Sequence, residues 1–106
     1  MVPLSCDLEC LSSSEHLNQV YTGLALLRQR RLINLTARKG AAFKGGTTGA
    51  PKLLVQVNRS LRLAYDTEDD SRLDAKILDS CDFYFKRSYD EEFCKQHPQA
   101  SKIHPL

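Results

Sequence analysis

No complete catalytic constellation stands anywhere in these 106 residues. The paired CxxC knuckles of a structural zinc site are missing, and no cysteine has an evident activating neighbour. The acidic run Glu68-Asp69-Asp70 lacks the alternating ligands of a calcium loop. No apolar run is long enough to span a bilayer. The opening Met1-Val-Pro-Leu-Ser-Cys has neither a basic nor a long apolar segment, so no secretory signal is visible and a cytoplasmic chain is expected. Cations gather at Arg28, Arg30, Arg31, Arg38 and Lys39 without an aromatic ladder or a recognition-helix pattern. They are expected to complement a helix dipole and stay solvated, with no nucleic-acid partner. Glycine is scarce, and four of its five copies fall between Gly40 and Gly49. Residues 40–51 therefore read as a glycine-rich surface loop.

Cysteine is present but undirected. Cys6, Cys10, Cys81 and Cys94 could pair in an exported chain, and Asn34-Leu-Thr36 and Asn58-Arg-Ser60 are formal glycosylation sequons. With no export signal the thiols are expected to be reduced. Cys94-Lys-Gln-His97 has a ligand-like spacing that Cys6, Cys10, His16 and His104 could complete. Three of the cysteines, however, sit where small core residues belong. No metal and no cofactor are expected.

What is present is an ordinary globular composition, 42% hydrophobic and 26% charged, with a net charge of +2. One small α/β domain over residues 1–106 is the expectation, with a core that is real but thin. Val2 to Cys6 reads as a short strand. Ser12 and Glu15 form a capping box ahead of the helical stripe Leu17, Val20, Tyr21, Leu24 and Leu27, which ends near Arg30. Leu32 to Thr36 reads as a second strand, and strand, helix, strand in such close order implies parallel pairing. A hairpin follows around Asn58-Arg59-Ser60. Only a register pairing Val57 with Leu61, Val55 with Leu63 and Leu53 with Tyr65 brings both apolar sets to one face. A short helix carrying Leu73, Ile77 and Leu78 leads to an interior strand from Asp82 to Arg87, which has bulky residues on both faces. Ser88 and Glu91 form another capping box for a helix carrying Phe93, Cys94 and His97, and Ser101 to Leu106 begins a last strand. The fold class is α/β, a small mixed sheet with a β-hairpin and flanking helices, a Rossmann-like half-domain.

Two stretches carry candidate chemistry. Lys86, Arg87 and Ser88 stand where a strand hands over to a helix, the place where an open α/β sheet receives ligands, and their cations suit an anionic substrate group. The structural alternative is that they snorkel from a buried strand. Gly45, Gly46, Thr47, Thr48 and Lys52 look like the phosphate-binding loop of adenylate-forming enzymes such as acyl-CoA synthetases. That likeness covers about eight residues, and Leu53 stands where that family carries glycine. A surface loop before a hairpin is the expectation there, and a nucleotide binder the alternative.

The whole order of segments is more suggestive. Glu15-His-Leu-Asn-Gln-Val-Tyr-Thr-Gly-Leu, Leu63-Ala-Tyr-Asp-Thr, Cys81-Asp-Phe-Tyr-Phe-Lys-Arg-Ser-Tyr and Lys102-Ile-His-Pro-Leu together resemble the amino-terminal part of glycosyltransferase-like proteins built from two Rossmann domains. The resemblance implies an incomplete, acceptor-side amino-terminal domain that is not catalytically competent alone. A sugar acceptor or nucleotide-sugar would be its partner when joined to a second domain. Lys86, Arg87 and Ser88 would then face the interdomain cleft. The alternative is a small non-catalytic binding or interaction module with an exposed sheet edge or apolar face.

Overall fold

A computed structural model of the chain describes residues 2–10, 17–39 and 52–106. Among these residues ten elements follow one another: β1 (Leu4–Cys10), α1 (Asn18–Gln29), β2 (Ile33–Lys39), β3 (Lys52–Val57), β4 (Leu61–Asp66), α2 (Ala75–Ser80), β5 (Phe83–Lys86), α3 (Glu91–Lys95), a 3-10 turn (Ala100–Lys102) and β6 (Ile103–Pro105). The strands form one mixed sheet in the order β2-β1-β3-β4-β5-β6. β1 runs parallel to β2, and β4, β5 and β6 run parallel to one another. β3 is antiparallel to both of its neighbours. Five strands therefore point one way and end at the same edge, and β5 is interior, as its two-sided bulk requires.

The first strand runs to Cys10 rather than stopping at Cys6, and the second to Lys39 rather than Thr36. The added residues continue an alternation that each shorter span already began. Cys6 and Leu8 are buried between the less enclosed Asp7 and Glu9, the period-two pattern of a sheet with one dry face. On that face Cys6, Leu8, Ile33, Leu53 and Val55 meet Leu17, with Val20, Tyr21 and Leu24 of α1 packed against them. The opposite face carries a second core, in which Ala64, Tyr84 and Ile103 meet Leu78 of α2 and Cys94 of α3. Among the described residues each face of the sheet is thus covered over one half.

The hairpin adopts the register that burial demands: Val57 opposite Leu61, Val55 opposite Leu63 and Leu53 opposite Tyr65. Asn58 and Arg59 both have positive φ, at 52° and 58°, and the Ser60 amide donates to the Val57 carbonyl at 3.0 Å. Left-handed backbone at two central residues is what the twist of a hairpin favours, and asparagine tolerates it better than most. The Asn58 side chain also accepts from the Ser5 amide at 2.8 Å, while its own amide donates to the Ser5 carbonyl at 2.7 Å. This turn is therefore stitched to β1.

Helix ends differ from expectation in specific ways. The Ser12 and Glu15 capping box lies outside the described residues, and Leu17 at the start of α1 makes no side-chain cap. At its other end the Leu32 amide donates to the Leu27 carbonyl and the Arg31 amide to the Arg28 carbonyl, with Arg31 at φ 60°. That is a Schellman ending with arginine in the position glycine usually takes. Leu73 precedes α2 instead of lying inside it, because Asp74 is the cap and accepts from the Ile77 amide at 3.1 Å. Asp90, not Ser88, caps α3, accepting from the Phe93 amide at 3.1 Å. An aspartate one residue before the helix outcompetes a serine three before it, since only the former can reach the exposed amides. His97 lies past the end of α3, where its Nδ1 accepts from the Gln99 amide.

Candidate functional site

The parallel strands deliver their carboxyl ends to one edge, and there the buried charge of the molecule collects. Lys52 opens β3, Asp66 closes β4 and Lys86 closes β5; Lys52 and Asp66 are register partners, as are Asp66 and Lys86. All three are buried, with Thr67 beside them. Burying a charge is costly unless a partner is supplied, so each of these groups has one. Lys86 Nζ lies 3.5 Å from the Asp66 carboxylate and donates to the Glu68 carbonyl at 3.2 Å. Asp66 also accepts from the Tyr84 hydroxyl and, at 3.0 Å, from the Glu68 amide. The same hydroxyl accepts from the Asp74 amide at 3.1 Å. Lys52 reaches Asp74 at 3.2 Å and Glu68 at 3.5 Å.

These contacts fasten the loop between β4 and α2 at three points. The electrostatics agree with the geometry. Burial, and then the Asp66 carboxylate beside it, push the Tyr84 phenol far above its ordinary range, so it stays protonated and donates. Burial alone would raise the Asp74 carboxyl, but the Ile77 amide and the Lys52 ammonium outweigh it and hold the group below its usual value. Burial disfavours charge on Lys52 as well, yet Asp66, Asp74 and Glu68 together raise its pKa.

The expected ligand residues separate by burial. Lys86 is wholly enclosed and engaged by Asp66, so its ammonium faces protein rather than a cleft. Its stem does not snorkel outward. Arg87 is 43% exposed and lies 3.4 Å from Asp69, on the rim of the same edge. Ser88 beside it is half-buried. Of the glycine-rich loop, Gly45, Gly46, Thr47 and Thr48 lie outside the described residues. Lys52 is described, and it belongs to the carboxylate network. Cys6, Cys81 and Cys94 are buried free thiols whose pKa values burial raises, so they behave as core residues rather than nucleophiles. Among the described residues no group of three or more histidine, cysteine or acidic side chains is disposed to hold a metal ion, and no helix is long and apolar enough to cross a membrane.

Asp66, Tyr84 and Asp74 were not among the residues the sequence singled out. The one signal that could have found the first is an aspartate closing one apolar strand and a lysine closing the next, which parallel pairing sets side by side. Comparison with known proteins adds no identity: no family model, curated protein or solved structure matches the chain.

Proposed function

We propose that this chain is the acceptor-side, Rossmann-like half of a glycosyltransferase-like protein, and that alone it binds its ligand without transferring sugar. The observation that carries this reading is the common carboxyl edge. From β1 the chain moves outward to β2, whereas from β4 it moves the opposite way through β5 to β6. Ligands of open α/β sheets lie beyond the strand ends near such a reversal, which here brackets β3, two strands from β5. The loop at residues 66–74, tied down by Tyr84, Lys52 and Lys86, gives that edge a rigid wall. Arg87 and Ser88 supply its accessible polar groups, and Lys86 supports them from beneath. The resemblance of the quoted segments to glycosyltransferase-like amino-terminal domains supplies the choice of sugar chemistry. A second domain would supply the donor, in keeping with the want of a catalytic constellation in the sequence.

The competing reading is a non-catalytic interaction module. It draws on Phe83, which is 39% exposed on the half of the sheet face that α1 does not cover. Amide NMR titration with UDP-glucose, GDP-mannose and free monosaccharides separates the two. The proposal expects weak, saturable shifts confined to residues 66–74 and 86–89, and no transfer when donor and acceptor are both supplied. Shifts centred on Phe83 with a protein partner, and none with sugars, would favour the module. Measurable transfer by the chain alone would overturn the half-domain reading.

A further inference from the structure

β2 is the outermost strand of the sheet, and among the described residues nothing pairs with its outer edge over the seven residues from Ile33 to Lys39. A free edge presents the N–H and C=O groups of alternate residues to any extended chain that can reach them. An open groove of about 450 Å³ runs along it. Among the described residues that line it, Ile33 and Leu35 are apolar, Asn34 and Thr36 are polar, and Arg28 and Arg31 are charged. Both arginines are exposed, and neither is ion-paired with a described residue.

The helix dipole accounts for a cation such as Arg28 in the last turn of α1. Arg31, the residue after the cap, is placed to answer the same dipole. It sits at φ 60°, where glycine would relieve the backbone, and it lines the groove as well.

We infer that the β2 edge, with Arg28 and Arg31 beside it, docks an extended acidic peptide segment by strand addition. Main-chain pairing supplies the grip, and the two guanidinium groups select acidic side chains. This interface lies at the opposite end of the sheet from the Lys86 and Arg87 corner. It stands or falls independently of the sugar-binding reading.

The test uses a short, end-capped, fluorescein-labelled peptide alternating glutamate and valine, with a lysine and valine counterpart as control. Fluorescence anisotropy reads affinity, and amide hydrogen exchange reads the location. The glutamate peptide should bind, weaken as salt is raised, and slow exchange in residues 33–39. Arg28→Gln and Arg31→Gly should each weaken binding by up to about fivefold, as expected for exposed ion pairs. Arg31→Gly is suited to the purpose because glycine accepts the left-handed backbone, so the fold survives the loss of charge. A thermal melt confirms that. Equal binding of the lysine peptide, or affinity indifferent to both substitutions, would overturn the proposal. So would sedimentation showing that a second copy occupies the β2 edge and excludes the peptide, or a preference of the same residues for single-stranded RNA.

Discussion

Replacing Lys86 by methionine tests whether the charge at the carboxyl edge is structural. The side chain is fully enclosed, and its ammonium is 3.5 Å from an Asp66 carboxylate that is itself only 1% exposed. At an effective dielectric of about 20, unit charges at that distance attract by about 5 kcal/mol, before desolvation is subtracted. Methionine keeps most of the volume, so the packing loss is small. What remains is a buried carboxylate that has lost its nearest counter-charge, with only Lys52 beyond it, and a Glu68 carbonyl without its Lys86 donor. Removing one partner of a buried pair costs about 3 to 5 kcal/mol. For a domain whose whole stability is about 5 to 15 kcal/mol, the substitution removes a large share of it.

Urea denaturation followed by circular dichroism measures the loss. A second variant makes the assay specific. Asp66→Asn combined with Lys86→Met should recover part of the loss, because the double variant no longer buries that carboxylate without Lys86. A deficit below about 1 kcal/mol, or no recovery in the double variant, would refute the argument. A fall in anion affinity at unchanged stability would return Lys86 to the ligand site.

Other consequences are simpler to state. Leu53→Ala should cost about 2 to 5 kcal/mol, since the residue is fully buried. Leu24→Ala should cost clearly less, about 1 to 2 kcal/mol, because Leu24 is only partly buried against the sheet; equal losses in urea melts would show that α1 packs more tightly than its exposure implies. Stability should also decline in alkali. The folded-state pKa of Tyr84 lies above its ordinary value of 10.0, so its contribution is complete below that pH and falls as pH rises beyond it. Tyr84→Phe should lose about 1 to 3 kcal/mol near neutrality, by taking one donor from Asp66 and the acceptor from the Asp74 amide, and should show a smaller alkaline decline. Asn58→Gly should cost about 0.5 to 1.5 kcal/mol, the turn remaining feasible while the bond from the Ser5 amide is lost; hydrogen exchange at Ser5 reads it directly.

The hairpin register was legible because two apolar faces leave only one alignment that buries both. The extent of β1 was equally legible and was underestimated. Leu4 to Cys10 alternates without a break, yet Asp7 and Glu9 look like the end of a strand unless one face of the sheet is allowed to be wet. The helix stripe was visible, but the depth of its burial was not. Among the described residues α1 stands alone on its half of the sheet, and Leu27 at the end of the stripe is 39% exposed. The capping of α3 turned on a competition between Ser88 and Asp90 that local spacing does not decide. Residues 87–89 are taken up by the turn out of β5, which leaves Asp90 at the first exposed amides.

Lys86 was the least legible of the candidate residues, because its partner is distant in sequence and is adjacent only through parallel pairing of β4 with β5. That same pairing separates the roles of two consecutive cations. Lys86 shares a face with Tyr84 and Ala64, where α2 and α3 exclude water. Arg87 is past the strand, and its amide donates to the Asp66 carbonyl at 2.9 Å while its guanidinium remains on the rim. A ligand at this edge would meet Arg87 on a backbone already fixed by Asp66, with little ordering left to do. Preorganisation of that kind raises affinity by lowering the cost of binding rather than by adding contacts. On the proposed reading the buried network would serve that site without any member of it touching a ligand. Loosening Asp66 would weaken a site built on Arg87 from below, whereas removing Arg87 would leave the fold intact.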